Sequence, residues 1–260
     1  MAVLNVTDDS FYASSRARTS PQIERRTEDF IRQGASIIDI GGCSTRPGSQ
    51  PVSFSQEWER VREGILAVRR VSNDITISID TFRSEIVKRS YDLIGGFIVN
   101  DISAMEADEN MAQTVLSRAL KIVLMHMRGT ASTMQSMCHY QDVTKEVKHY
   151  LLSRAAILEK EGYSLSDIIL DPGFGFAKTT EQNYELLSHL SSISSLGYRV
   201  LVGLSRKSMI RSLLGIDVEQ ALAPTQVLLL KSLEEGASIL RVHDVASAVM
   251  TIKIYRQLNY

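Results

Sequence analysis

Eight short, β-branched apolar runs recur along the chain, at residues 2–6, 36–40, 75–79, 97–99, 121–125, 167–170, 200–204 and 238–242. Nearly every run stops at a polar residue or leads into a glycine-rich polar loop. The stretches between them mostly have helical spacing, so consecutive runs read as parallel strands joined by helices. Eight such units predict an α/β fold, a (β/α)8 TIM barrel in a single domain. That architecture takes about 250 residues, and the chain has 260. In such a barrel the carboxyl ends of the strands form one face, where active sites are built. The ends of the runs supply Asn5, Asp80, Asn100, His126, Asp171, Lys207, Arg241 and His243.

Charge excludes some partners. With 29 basic and 30 acidic residues and a net charge of −1, nothing global argues for nucleic acid or an anionic membrane. Any preference for anions must be local. Cys43 and Cys138 are too few for a disulfide framework and fit a reducing, intracellular and cytoplasmic setting. No apolar stretch approaches the roughly 18 residues of a membrane span. Met1 leads straight into the first run, so no leader is expected, and residues 1–260 read as one domain of a kind that can be cut from a longer multifunctional chain.

Helix signals fall where a barrel needs them. Trp58, Val61, Ile65 and Val68 lie on one helical face, with Ser53 and Gln56 placed as a capping box ahead of them. Val143, Val147, Tyr150, Leu151 and Leu158 form another such face, and helical patterns stop at Gly34, Gly162, Gly197 and Gly236. Asp244 is expected to cap the last helix. Three connections are longer than a strand-to-helix turn needs: residues 7–21, 41–53 and 126–142. All follow strand carboxyl ends, and long loops at such places are commonly functional.

Two groups of residues carry chemistry. Ser205-Arg206-Lys207-Ser208 and Arg241-Val242-His243-Asp244 end runs seven and eight, the place where barrels often bind phosphate. Arg46 adds a further arm to such an anion clamp. The competing reading is ordinary surface charge paired with carboxylates. Asp80, Asn100 and Asp171 end runs three, four and six, and acceptors desolvated in a barrel mouth need donors from a partner or a ligand. They suit a flat, donor-rich heterocycle; the competing reading is structural pairing with Arg or Lys. In Asp171-Pro172-Gly173-Phe174-Gly175-Phe176-Ala177-Lys178, the prolyl and glycyl residues fix a tight turn. The phenylalanines read as a ligand cover, or else as a staple to the following helix. His126 reads as a packed, hydrogen-bonded histidine rather than a general base.

In order along nearly the whole chain, nine segments resemble the dihydropteroate synthase family: Asn5-Val6-Thr7, Asp39-Ile40-Gly41-Gly42, Ser44-Thr45-Arg46-Pro47-Gly48, Ile79-Asp80-Thr81, Asn100-Asp101-Ile102, Leu124-Met125-His126-Met127, Asp171-Pro172-Gly173-Phe174-Gly175, Ser205-Arg206-Lys207-Ser208 and Arg241-Val242-His243-Asp244. The resemblance implies a folate-biosynthesis transferase. Its substrates would be para-aminobenzoate and hydroxymethyl-dihydropterin pyrophosphate, and its products dihydropteroate and pyrophosphate. By resemblance, Asp80, Asn100, Asp171, Lys207 and Met125 hold the pterin, while Asn5, Arg46, Arg241 and His243 hold the pyrophosphate. A magnesium ion (Mg2+) is implied at Asn5. Thr45, Arg46, Pro47, Phe176, Lys207 and Ser208 are implied to hold the aminobenzoate and the sulfonamides that mimic it. Asp80, Asp171, Lys207, Arg241 and His243 are the implied catalytic set.

The chain departs from the family pattern at Asp8, where the family has proline, at Tyr12 to Ser15, where it has glycines, at Cys43, often Glu, and at Ala131, often Pro. The first-loop changes put turnover in question more than substrate identity. Rival readings are a pterin-dependent methyltransferase, an aldolase-like barrel with Lys207 as a Schiff-base lysine, and a pterin-binding module with impaired turnover. The apolar last helices fit a homodimer.

Overall fold

The computed structural model describes residues 1–6, 19–43, 52–130 and 132–259. Its strands are β1 (Ala2–Asn5), β2 (Ile37–Gly41), β3 (Thr76–Asp80), β4 (Ile98–Asp101), β5 (Lys121–Met125), β6 (Ile168–Asp171), β7 (Arg199–Val202) and β8 (Ile239–Leu240). The helices are α1 (Ser20–Arg32), α2 (Phe54–Val71), α3 (Ser84–Ile94), α4 (Met111–Ser117), α5 (Val143–Lys160), α6 (Thr180–Ser188), α7 (Ser191–Ser194), α8 (Ser208–Leu214), α9 (Leu222–Glu234) and α10 (Val245–Leu258). The strands make an eight-stranded sheet in sequence order, and every neighbouring pair is parallel. The fold is therefore α/β, with each predicted apolar run within two residues of an observed strand at either end.

Period-two alternation sends strand side chains to two different faces. Ile38, Ile40, Ile77, Ile79, Val99, Ile122, Leu124, Leu170, Val200 and Val202 belong to the large core shared with the helices, and each is buried. Ile98, Val123, Ile169 and Leu201 form a second, smaller cluster on the other face, with Met1, Ile37 and Ile239 against it. Two positions further along the same face stand Asn100, Met125, Asp171, Gly203, Arg241 and, on β2, Asp39. One step toward the carboxyl ends thus changes this face from apolar to polar. The apolar floor excludes water from below, and the polar residues above it become the site.

Local signals explain the frame. Ser53 Oγ accepts from Gln56 N at 3.3 Å while Gln56 Oε1 accepts from Ser53 N at 3.1 Å, so the predicted capping box starts α2. Gly34, Gly162, Gly197 and Gly236 follow helices with positive φ, and Gly34 at +96° is a backbone state that side-chain-bearing residues avoid. Asp244 stands at the N-cap of α10, but its carboxylate makes no cap bond there. It accepts instead from Arg206 Nε and Nη2 at 2.7 and 3.0 Å, because a charged bidentate pair outweighs a single cap bond.

Gly64 marks where α2 rests on β2: a Cβ there would meet Ile40 Cγ2 at 2.8 Å, and Ile40 is fully buried. Alanine gains about 1 kcal/mol of helix propensity, whereas overpacking a closed core costs about 1–3 kcal/mol. Gly64→Ala is expected to lower unfolding free energy in urea by about 1 kcal/mol; a rise would show that α2 can lift from the sheet.

Candidate active site

Strand register lines up the site. Asn5 pairs with Gly41, Gly41 with Asp80, and Asp80 with Asn100, a single row across β1, β2, β3 and β4. On the far side Met125 pairs with Asp171 across β5 and β6. Gly41 is the gap in the row. A Cβ there would come 3.4 Å from Asn5 Oδ1 and 3.8 Å from Asp80 Oδ2. The missing side chain leaves space between the amide and the carboxylate.

Beneath that row lies Asp39, fully buried. Its Oδ2 accepts from Arg241 Nε at 2.7 Å and from Asn100 Nδ2 at 3.1 Å. Its Oδ1 is buried with no hydrogen-bond partner among the described residues. Arg241 Nη2 also donates to Asp80 Oδ2 at 3.0 Å. Burial works against the charge on Arg241, but Asp39 and Asp80 outweigh it and hold the guanidinium above its ordinary value. By the same burial, Asp80 is pushed up from the usual carboxylate range, with Arg241 opposing and Asp39 adding to the rise.

The second half of the rim follows β6 and β7. Asp171 is buried, its Oδ1 accepts from Gly173 N at 2.8 Å, and burial raises its carboxyl above the ordinary range against the pull of Lys207. Lys207 Nζ donates to Phe174 O and stands 4.6 Å from the centroid of the Phe176 ring, a cation–π contact. Burial lowers Lys207 to about 8, with Asp171 raising it and Arg241 lowering it further. His243 is lowered to about 4 by burial and by Arg241, so near pH 7 it is a neutral imidazole, with Nδ1 at 3.2 Å from Ser205 Oγ.

The structure separates the expected residues. Asn100 and Arg241 are joined through Asp39, Asp80 is joined to them through Arg241, and Asp171 and Lys207 are within each other's field. Met125 is buried at the end of β5, and Ser208 is exposed as the first residue of α8. Thr45, Arg46 and Pro47 lie outside the described residues, as do Asp8, Tyr12 to Ser15 and Ala131. Arg206 is not an arm of the clamp. It is buried, paired with Asp244, and donates to Val218 O at 2.6 Å, so the structural alternative holds for this cation. Asp80 does pair with an arginine, and that arginine is Arg241, the residue expected in the anion clamp. Phe174 covers no ligand either; it is 0% exposed and belongs to the helix-side core. Phe176, half-buried beside Lys207, is the aromatic that faces the site. His126 is a packed histidine, lowered to about 2 by burial and by Lys178.

Three contributors escaped the sequence reading of roles. Asp39 carried a signal, a charge inside Ile37-Ile38-Asp39-Ile40, where a strand face has no water to offer it. Glu57, fully buried on α2, accepts from Thr81 Oγ1 and Arg83 Nη1, each at 2.6 Å, and fixes the turn after β3. Lys178, the third, is buried with Nζ 3.0 Å from His126 Nδ1. Among the described residues no three His, Cys, Asp or Glu side chains form a metal-binding group.

Desolvated acceptors and fixed cations, brought to the carboxyl ends of parallel strands over an apolar floor, define an α/β enzyme site for a donor-rich ring that bears an anion. Comparison with known proteins agrees. Residues 1–243 match the pterin binding enzyme family. Dihydropteroate synthase of Haemophilus influenzae is 37% identical over 256 residues, 98% of this chain and 92% of that protein. The Escherichia coli K12 enzyme is 35% identical over 254 residues, 98% of this chain and 89% of its own. Among solved structures, Yersinia pestis dihydropteroate synthase in a sulfonamide drug complex superimposes with a TM-score of 0.93 at 32% identity, covering 99% of this chain and 92% of that one. The Xanthomonas albilineans enzyme with 4-aminobenzoic acid gives 0.89 at 35% identity, covering 99% and 92%. The Anaplasma phagocytophilum enzyme with 6-hydroxymethylpterin-monophosphate also gives 0.89, at 30% identity, covering 99% and 97%. This chain belongs to the dihydropteroate synthase family of pterin binding enzymes.

Removing one partner of a buried ion pair costs about 3–5 kcal/mol, because the other charge stays buried. Asp39→Asn keeps the shape of the side chain and removes its charge, leaving Arg241 to Asp80 alone. Urea unfolding is expected to show a loss of about 3 kcal/mol; a loss below about 1 kcal/mol, the level of a single neutral hydrogen bond, would contradict the arrangement.

Proposed function

We propose that this protein condenses para-aminobenzoate with hydroxymethyl-dihydropterin pyrophosphate, giving dihydropteroate and pyrophosphate. The observation that carries the reading is the shared acceptor: Asp39 Oδ2 takes bonds from both Asn100 and Arg241. The amide suited to a ring and the guanidinium suited to a diphosphate are thereby held side by side. Relatives bound to 4-aminobenzoic acid and to a phosphorylated pterin support the same pair of ligand classes.

In this reading Asp80, Asn100, Asp171 and Lys207 hold the pterin, with Met125 packed against it. Asn5, Arg46, Arg241 and His243 hold the diphosphate, and Thr45, Arg46, Pro47, Phe176, Lys207 and Ser208 receive the aminobenzoate. The C–O bond to the diphosphate breaks first, its electron pair leaves with the diphosphate, and the ring takes up the positive charge. The amine lone pair then forms the C–N bond, and the anilinium proton is released. Asp80 and Asp171 are held above the carboxylate range because they are buried. A ring edge turning cationic adds positive charge beside them, beyond what Arg241 and Lys207 already supply, so their stabilisation grows toward the transition state. The guanidinium of Arg241 does the same for the departing anion.

A magnesium ion bound with the diphosphate would take up leaving-group charge. Asn5 is the described residue suited to hold it, since its Oδ1 borders the gap at Gly41, and Mg2+ commonly takes its other ligands from phosphate oxygens and water. The same reading makes the sheet a closed (β/α)8 barrel of one domain. Support comes from Val3 N donating to Val242 O at 3.1 Å, Val242 N donating to Met1 O at 2.9 Å, and parallel pairing of Ala2 with Val242. A homodimer is supported by Met250, Ile254 and Leu258, which are 58 to 68% exposed at four-residue spacing on α10. A cytoplasmic setting and possible fusion to other folate-synthesis domains belong to the same proposal.

A pyrophosphate-release assay run with both substrates, with and without Mg2+, tests the function. Release that requires the aminobenzoate and matches dihydropteroate formed is the expected result; release that ignores the amine would overturn it. Arg241→Ala is expected to lower kcat about 100- to 1000-fold, and unchanged turnover would remove Arg241 from its role. Because kcat/KM reports the free enzyme and Lys207 sits at about 8, kcat/KM for the aminobenzoate carboxylate should fall as pH rises through about 8, where the ammonium loses its proton. Lys207→Arg should abolish that fall; a fall of the same position in the arginine variant would assign it to another group.

A further inference from the structure

Lys178 is buried at the end of the β6–α6 loop, with Nζ 3.0 Å from Gly173 O, 3.1 Å from Phe176 O and 3.0 Å from His126 Nδ1. An ammonium has three donors and no acceptor, and here each donor meets one acceptor. The histidine is an acceptor at Nδ1 because it is neutral and packed, its ring edge-on to Tyr150 at a centroid distance of 5.0 Å. With its donors all committed inside the protein, Lys178 has none to give a substrate.

What the tripod holds is a loop shape that few sequences can adopt. Gly173 has φ +70°, and a Cβ there would lie 2.0 Å from His126 O; Gly175 has φ +79°. From the helix side Asn183 Oδ1 accepts from Gly175 N at 2.7 Å, and Tyr140 Oη donates to Ala177 O at 2.9 Å. Between the two carbonyls that Lys178 grips, Phe174 O accepts from Lys207 Nζ, and the Phe176 ring lies 4.6 Å from that same nitrogen. Fixing Gly173 O and Phe176 O therefore fixes both groups that hold the Lys207 ammonium.

We infer that Lys178 is a positioning residue, which shapes the β6–α6 loop through His126 and two carbonyls so that Phe176 and Lys207 are set to receive the aminobenzoate. The inference rests on the function proposed above. Without the tripod the loop loses its inner fastening, Phe176 drifts from Lys207, and the amine substrate is held out of line while the groups on β3 and β4 stay in place.

The test uses steady-state kinetics of the full chain, with limited chymotrypsin digestion as a readout independent of activity. Lys178→Met is expected to raise KM for para-aminobenzoate about tenfold or more, since small misplacements of an acceptor site cost that much, and to move KM for the pterin pyrophosphate far less. In a Phe176→Ala background the same change is expected to add about twofold or less, because residues acting through one another are not additive. Chymotrypsin should cut after Phe176 in Lys178→Met and spare the wild type at a temperature well below both melting transitions. Equal effects on both substrates, full additivity with Phe176→Ala, or no new cleavage would overturn the inference. If Lys178→Met does not fold, Asn183→Ala, which frees Gly175 N from the same loop, takes its place with the same expected and contrary results. Wild type without product formation would refute the function and leave the cleavage to decide on Lys178.

Discussion

Asp39 Oδ2, buried under the rim, accepts one hydrogen bond from Asn100 and one from Arg241. The rest of the site depends on that shared oxygen. A carboxylate with no water is costly unless charge and donors compensate it; Arg241 supplies the charge and Asn100 a second donor. In return one N–H of the amide is committed inward, which leaves its oxygen and its second N–H to present to a ligand. Arg241 has two of its nitrogens committed to Asp39 and Asp80, so its plane is fixed before any anion arrives. The arrangement costs no reorganisation at the moment of reaction, the condition under which electrostatic stabilisation is most effective.

A parallel sheet in sequence order makes this possible. Asn5, Gly41, Asp80 and Asn100 share a row because consecutive strands pair without slip, and a shift of one residue would turn every one of them toward the helices. Below the row the small cluster of Ile98, Val123, Ile169 and Leu201 keeps water from reaching the charges from beneath. On the other side, the β6–α6 loop brings the Phe174 carbonyl and the Phe176 ring to Lys207, a half-buried cation lowered to about 8 by desolvation. Two kinds of cation result: an arginine that never gives up its charge, and a lysine close enough to neutral pH to be tuned by what binds beside it.

Much of this was legible in the chain. The strands were, because each apolar run is β-branched and ends on a polar residue, and α2 was, because Ser53 and Gln56 mark its start. The rim residues were legible for the same reason: Asp80, Asn100, Asp171 and Arg241 stand where a strand stops. Pairing was not. Arg206 and Arg241 look alike in sequence, each within four residues past the end of a strand, yet Arg206 is taken by Asp244 and Arg241 faces Asp39 and Asp80. Phe174 and Phe176 likewise differ only in phase. The tight turn drives Phe174 into the helix-side core and leaves Phe176 by Lys207. Long-range contacts of this sort depend on which strands become neighbours, information that no local pattern holds. Asp39 gave a signal, a lone charge in an apolar run, whose meaning needed Asn100 and Arg241, 61 and 202 residues away in sequence.

Calorimetric titration with the pterin pyrophosphate and with its two fragments, the pterin alcohol and inorganic pyrophosphate, tests most directly whether acceptors and cations form one continuous site. The account predicts that both fragments bind together and that the intact molecule binds at least about a hundredfold more tightly than either, the gain expected when two adjoining subsites are linked. Mutual exclusion of the fragments, or an intact substrate no tighter than the pterin alcohol, would contradict it.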